Sequence, residues 1–303
     1  MKLIEEIVTK IKRITPTDFR GQYMSEMSTD FAILRTPVQI HDIGKTSGFI
    51  KVPTPLHRPE FNFIVHITRG NAKQQVDANL VSIKENEILF VRQGNVTSLK
   101  EVSADAAGYM ILFEDQTLNQ LLSKQELIKL FSANTVIHLP EESSAWLTSL
   151  FELLSIEIYY PNPNLGICYS LLQAGLQKIF TSSKELNKSI NRSAEITFNF
   201  KELVYKYYLK HKSILFYANE LSVSENYLHR CIKETIGESP KEWINKVSIL
   251  QSQLLLQDLT KSISEIAFEL NYGDPSYFGR LFKKITGVTP SEYRIIFMQD
   301  LSE

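Results

Sequence analysis

Cysteine is nearly absent from this chain of 303 residues: only Cys168 and Cys231 occur, far apart and outside any paired motif. Neither a disulfide framework nor a cysteine-based metal site follows, and the plain expectation is a reduced, cytoplasmic protein. An excess of either charge is missing too. Thirty-three Lys and Arg stand against 34 Asp and Glu, leaving a net charge of −1. Bulk electrostatics therefore supply no attraction to a polyanion or a membrane. Apolar runs stop short of the ~20 residues that span a bilayer, so no membrane partner is expected. The first 14 residues mix acids and bases without an apolar signal core and read as mature sequence. No Ser/His/Asp or Cys/His grouping has an informative spacing, so the expectation is no enzyme and no cofactor.

What is present suits two domains: 43% hydrophobic residues in a chain long enough to bury two cores. Leu3, Ile4, Ile7, Val8 and Ile11 form one stripe of an amphipathic helix over residues 1–14. From about Phe31 to Phe113 the runs FNFIVHI, NLVSI, EILFV and YMILF, punctuated by Gly, Pro and Asn, read as strands of an all-β barrel or sandwich. Glu141–Ile158 and Leu165–Phe180 read as a helical pair packed on it, with Trp146/Phe151 and Leu171/Ile179 as core stripes. The polar stretch 182–195 reads as a linker. Everything beyond it is helical. The fold class is α+β multidomain, with one domain over 1–181 and another over 196–303.

The second domain repeats itself. Arg230, Lys233, Gly237, Pro240, Glu242 and Trp243 return fifty residues later as Arg280, Lys283, Gly287, Pro290, Glu292 and Tyr293. The repeat runs back through Tyr227/Tyr277, then slips one residue to Ala218/Ala267 and Leu221/Leu270. Each copy reads as two short helices around a tight turn. In the second copy Asn271 tolerates the left-handed turn, Asp274 is the N-cap and Pro275 opens the helix. That helix buries Phe278, Leu281, Phe282 and Ile285 and turns Ser276, Gly279, Arg280, Lys283 and Lys284 outward. In the first copy Ser224 caps Glu225–Ile236, whose outward residues are Glu225, Asn226, His229, Arg230 and Lys233. Ser239-Pro240-Lys241-Glu242 and Thr289-Pro290-Ser291-Glu292 are capping boxes. The first opens a connector reaching about Leu256, roughly 25 Å long. Such a connector suits two helices held ~34 Å, or one DNA turn, apart. A major groove admits one helix, Arg pairs with guanine, Asn pairs with adenine, and lysines further along suit phosphates. From Ile196 onward thirteen Lys and Arg meet thirteen Asp and Glu. Binding must come from where charges sit.

The segment SISEIAFELNYGDPSYFGRLFKKITGVTPSEYR resembles the signature of AraC-type transcriptional regulators, and the resemblance covers about Phe198–Phe297. It implies an all-α double helix-turn-helix bridged by a long helix and sequence-specific binding to double-stranded DNA. It also implies a homodimer and a contact with RNA polymerase. Carried over by position, base reading falls on Asn226, His229 and Arg230, then on Pro275, Ser276, Gly279 and Arg280. Lys233, Lys283 and Lys284 are left for the DNA backbone. The chain departs from the pattern at Asn271, where Gly is frequent, and at Ser248 and Ser252, where Arg and Ala are. Pro275 and Gly279 carry no base-reading group, so the second unit is expected to add affinity more than sequence choice.

The strands ahead of this module resemble the cupin-like effector domain of many such regulators, on the spacing His57…Gly70…Glu87-Ile88-Leu89-Phe90…Gly94…Phe113. Cupin enzymes hold a metal on clustered His and Glu, but Arg92–Thr97 offers no histidine, so no metal is expected. A small-molecule effector inside the barrel is the preferred reading, with His57, Arg58, Asn62, His66, Arg92 and Tyr109 as candidate contacts. Phe61, Phe63, Val65 and Ile67 share one strand face, Asn62 and His66 the other. Two alternatives stay open: a barrel that only dimerises, and a metal-dependent cupin enzyme joined to a DNA-binding module.

Overall fold

The computed structural model describes residues 13–25, 36–132, 134–183, 186 and 191–300. Residues 1–12 of the expected N-terminal helix lie outside these. Arg13–Ile14 form a strand instead, with Ile14 buried and paired parallel to Arg58–Pro59. Two compact units divide the chain, one within Arg13–Ser189 and one within Ile190–Glu303.

The first unit contains strands β1 (Arg13–Ile14), β2 (Val38–Asp42), β3 (Arg58–Pro59), β4 (Asn62–Arg69), β5 (Asn71–Val76), β6 (Asn79–Lys84), β7 (Glu87–Val91), β8 (Thr97–Val102), β9 (Ala107–Phe113) and β10 (Val136–His138). Its helices are α1 (Pro16–Tyr23), α2 (Ile43–Thr46), α3 (Asp115–Leu121), α4 (Lys124–Ser132), α5 (Glu141–Ile158) and α6 (Leu165–Ser182). Five antiparallel strands, ordered β10-β7-β4-β9-β2, make one sheet, and β6-β5-β8 make another. The expected barrel is open: among the described residues no ladder joins these two sheets. A register shift between Ile67 and Arg69 ends regular pairing of β4 just before the chain turns into β5 of the other sheet.

Both faces of the large sheet are buried. Phe63 and Ile67 of β4, Leu89 and Val91 of β7, and Leu112 of β9 meet Ala72, Val76 and Ile83 of the small sheet in one core. The alternate residues Ile64, Ile88, Phe90, Ile111 and Phe113 join Leu147, Phe151, Leu154, Leu172 and Leu176 of α5 and α6 in a second. Period-two alternation divides every strand between two apolar layers. The expected helical pair stands over the expected residues, with one correction. Trp146 is 43% exposed rather than core, its ring lying 5.4 Å from Lys178 Nζ.

The second unit is helical: α7 (Arg192–Tyr207), α8 (Ile214–Glu220), α9 (Glu225–Ile236), α10 (Pro240–Leu255), α11 (Ile263–Glu269), α12 (Pro275–Thr286) and α13 (Pro290–Asp300). Helix α7 begins inside the stretch expected as linker, because the Asn191 side chain caps it by accepting from Ala194 N. The connector α10 runs through the middle of a single core that takes Leu228, Cys231 and Ile232 from α9 and Phe278, Leu281 and Phe282 from α12.

Three buried histidines give the first unit a titration signature. Burial holds His41, His57 and His66 at about 4, below the usual 6.5. Between those values the unfolded chain binds protons that the folded chain refuses, so stability falls as pH drops from about 6.5 to 4. Up to three extra protons should be taken up on unfolding in that window, read from the slope of stability against pH. His66→Gln should reduce the uptake by about one.

Candidate functional site

Each recognition helix is placed by its own local chemistry. The turn before α9 has Ser222 at φ 54°, and the turn before α12 has Asn271 at φ 59°. Both copies thus make the left-handed step, although serine favours it less than asparagine. Ser224 Oγ then accepts from Tyr227 N at 3.2 Å. Asp274 accepts from Ser276 N at 2.8 Å and Tyr277 N at 3.1 Å. Both helices stop at a glycine with positive φ, Gly237 at 76° and Gly287 at 85°, a conformation that a β-carbon disfavours. The Ser239/Glu242 and Thr289/Glu292 capping boxes open the helices that follow.

Start, stop and turn being the same, the two helices bury the same inner face and present the same outer one. Asn226, His229, Arg230 and Lys233 of α9 are exposed, as are Ser276, Arg280, Lys283 and Lys284 of α12. Pro275 and Gly279 are half-buried. The outer cations have only loose partners. Arg230 Nε lies 4.0 Å from Glu234 Oε1, and its guanidinium 4.9 Å from the Tyr227 ring centre. Arg280 Nη2 lies 3.8 Å from Asp274 Oδ2. Exposed pairs of this kind are worth about 0–1 kcal/mol, so a phosphate or base edge displaces them at little cost. Lys233 differs: its Nζ donates to Gly237 O at 2.8 Å, on its own helix end.

A cluster that no local pattern in the sequence reveals ties the two helix-turn-helix copies together within the second unit. Tyr272, in the turn before α12, donates its hydroxyl to Ser248 Oγ of α10 at 2.9 Å. Lys212, just ahead of α8, places Nζ 3.1 Å from the Tyr272 ring centre and 3.5 Å from Ser248 Oγ. Burial and the nearby Lys241 charge pull the Lys212 ammonium down to about 7. Burial raises the Tyr272 hydroxyl to about 12. Thus at Ser248, where arginine is frequent in the resembled family, the basic nitrogen comes from Lys212, thirty-six residues away in sequence. Only the departure at Ser248 hinted at it.

The first unit holds a cavity of about 110 Å³ between its two sheets, lined by Phe19, Phe61, Phe63, Ile67, Ala72 and Met110 among others. Of the six effector candidates, His57 alone is in the lining. Asn62, His66 and Tyr109 are on the opposite face of the large sheet, because β4 and β9 alternate and these positions point to the helices. Asn62 Nδ2 donates to Asp115 Oδ1 at 2.8 Å, and Asn62 Oδ1 accepts from Gln93 N at 2.9 Å. His66 Nε2 lies 2.9 Å from Ser144 Oγ of α5, and Tyr109 sets its ring edge against Phe151. Arg92 lies 4.0 Å over the Phe131 ring, and Arg58 sits in β3 outside the lining. The lining instead receives Gln39 and His41, which the alternation in VQIHD places beside Leu112 and Met110. The alternation is present in the sequence, but it points to the cavity only once β2 is paired with β9.

Residues 217–295 match a family described as a helix-turn-helix domain. The chain is 23% identical over 252 residues to the HTH-type transcriptional activator RhaR of Mannheimia succiniciproducens, a match spanning 82% of this chain and 89% of that one. Residues 217–295 thus form a helix-turn-helix domain of the AraC type. A second relative is the Msm operon regulatory protein of Streptococcus mutans, 23% identical over 77% of this chain and 84% of the relative. The crystal structure of ToxT from Vibrio cholerae aligns with 86% of the chain and 97% of its own, at 17% identity and a TM-score of 0.46. With this domain the protein is a DNA-binding transcription regulator. No helix among the described residues is long and apolar enough to cross a membrane.

The Tyr272–Ser248 bond is testable by itself. Tyr272→Phe should lower the stability of the full chain by about 1 kcal/mol, measured by urea unfolding.

Proposed function

We propose that α9 and α12 enter successive major grooves of an operator, and that Asn226, His229, Arg230, Ser276 and Arg280 read base edges there. Lys233, Lys283 and Lys284 hold the phosphates, Lys233 after releasing Gly237 O. The observation that carries this reading is the outer face itself. All eight side chains are exposed on two helices with matching caps and stops, and no core contact requires any of them. In a net-neutral domain such a concentration of donors is a placement of charge suited to DNA. The division expected between the copies fits: the first helix offers base-reading groups beside Glu225 and Glu234, the second offers three cations around Gly279.

The proposal extends to a cytoplasmic homodimer without catalytic activity, whose sheet cavity binds a small molecule and so biases DNA binding. Trp146, Leu153, Ile156 and Tyr160, at helical spacing along and just beyond α5, are 43–63% exposed and form an apolar stripe suited to a second copy. Ile156→Glu should shift the protein from dimer to monomer in sedimentation experiments while leaving its circular dichroism unchanged.

Arg230→Ala and Arg280→Ala should each weaken operator binding by about 1–3 kcal/mol and relax sequence preference at the contacted base. Lys283→Ala should weaken all sequences alike and lower the slope of log affinity against log salt by about 1. Titrations at several salt concentrations check both, and operator binding by both arginine variants equal to that of the parent would sink the groove assignment.

A further inference from the structure

We infer that the cavity between the sheets takes a small, uncharged, largely apolar molecule with one hydroxyl or N–H group donated to Gln39 Oε1, in preference to a sugar or a carboxylate. The inference rests on the reading of the first unit as the sensing domain and specifies its ligand.

Size is the first constraint. A cavity of about 110 Å³ approaches the ~150 Å³ at which an apolar cavity in another protein accepts benzene. One ring, or a short branched chain, fills it. The wall is the second. Phe61, Phe63, Ile67, Ala72, Ile83 and Met110 present hydrocarbon, against which each hydroxyl of a sugar would be buried without a partner. Charge is the third. His41 and His57 are both kept neutral by burial, so neither supplies a cation to a carboxylate at neutral pH. Arg20, the one Lys or Arg among the described lining residues, is half-exposed on α1.

The fourth constraint points to a donor. Gln74 Nε2 already donates to Thr97 Oγ1 at 2.6 Å, and His57 Nδ1 lies 2.9 Å from Pro55 O. Gln39 is 9% exposed, and its Oε1 is buried without a hydrogen-bond partner. A buried acceptor left unpaired is penalised, and a single donor on an otherwise apolar ligand removes the penalty. Gln39 also places the contact on β2, at the edge of the large sheet, where ligand binding can be felt by the strand as a whole.

The test uses the full chain and four probes: p-cresol, toluene, benzoate and glucose. p-Cresol is expected to raise the melting temperature and to bind more tightly than toluene in calorimetry. Gln39→Leu should weaken p-cresol about fivefold while leaving toluene unchanged. Ala72→Phe, which fills the cavity, should abolish both shifts, and Ala72→Leu should weaken both should the larger side chain not fold. Stabilisation by benzoate or glucose in preference to p-cresol, abolished by the Ala72 variants, would overturn the ligand class and leave the sensing reading standing. Absence of a shift with all four probes would overturn both. Binding of p-cresol and toluene with equal affinity, unaffected by Gln39→Leu, would overturn the role of Gln39.

Discussion

The helix-turn-helix half depends on one helix being buried nearly all round. Six consecutive residues of α10, Val247 to Ser252, are shielded from solvent, which no surface helix tolerates. Neither two-helix unit is large enough to cover its own apolar face. Each gains a core by laying that face on α10, and the helix is thereby held from both sides. Two of the three polar residues in this stretch are paired, Ser248 accepting from Tyr272 and Ser252 donating to Ile249 O, while the buried side-chain amide of Gln251 has no hydrogen-bond partner. With the inner faces of α9 and α12 committed to this packing, their outer faces have no structural duty. That division lets a domain with equal numbers of acids and bases present a surface rich in donors.

The first unit depends on a comparable constraint in β4. A strand covered on both faces must supply apolar side chains in both directions, so its sequence shows no simple alternation of apolar and polar residues. Phe63 and Ile67 serve the cavity side while Ile64 serves the helices. The polar residues Asn62 and His66 are accommodated on the helix side by bonds to Asp115 and Ser144. They are structural connections between sheet and helices, and this explains why chemically attractive side chains lie away from the cavity.

These two halves differ in how far the sequence could be read. Caps, stops and turns act over three or four residues, so Ser224, Asp274, Asn271 and the paired glycines could be placed without any tertiary information. The outward faces of α9 and α12 followed from helical period alone. Choosing which face of β4 meets the cavity required knowing which layer covers each side, and both faces are apolar. Gln39 and His41 were hidden similarly, in a short run whose period-two pattern only gains meaning once paired with β9. The start of α7 moved because one Asn cap was read as linker polarity. The Lys212–Tyr272 contact bridges sixty positions, beyond the reach of any local rule. Closure of the barrel likewise depends on edge pairing between distant strands.

On the proposed groove assignment, the structure also says why the repeated helices need not contribute equally. Asp274 faces Arg280, but both its oxygens already accept backbone N–H groups at the cap of α12, so its hold on the arginine is weakened. Glu234 is engaged with Ser193 Oγ at 3.0 Å and stands beside Arg230 within the same helix. Together with Glu225 it sets two carboxylates near the first recognition face, where they oppose phosphate at every sequence. Such repulsion lowers binding to wrong and right sites alike unless base contacts offset it. The first helix then adds net affinity only where Asn226, His229 and Arg230 find partners. The second, with Arg280, Lys283 and Lys284 around a glycine that leaves room for close approach, attracts any duplex. Selectivity and grip follow from where the acids were retained.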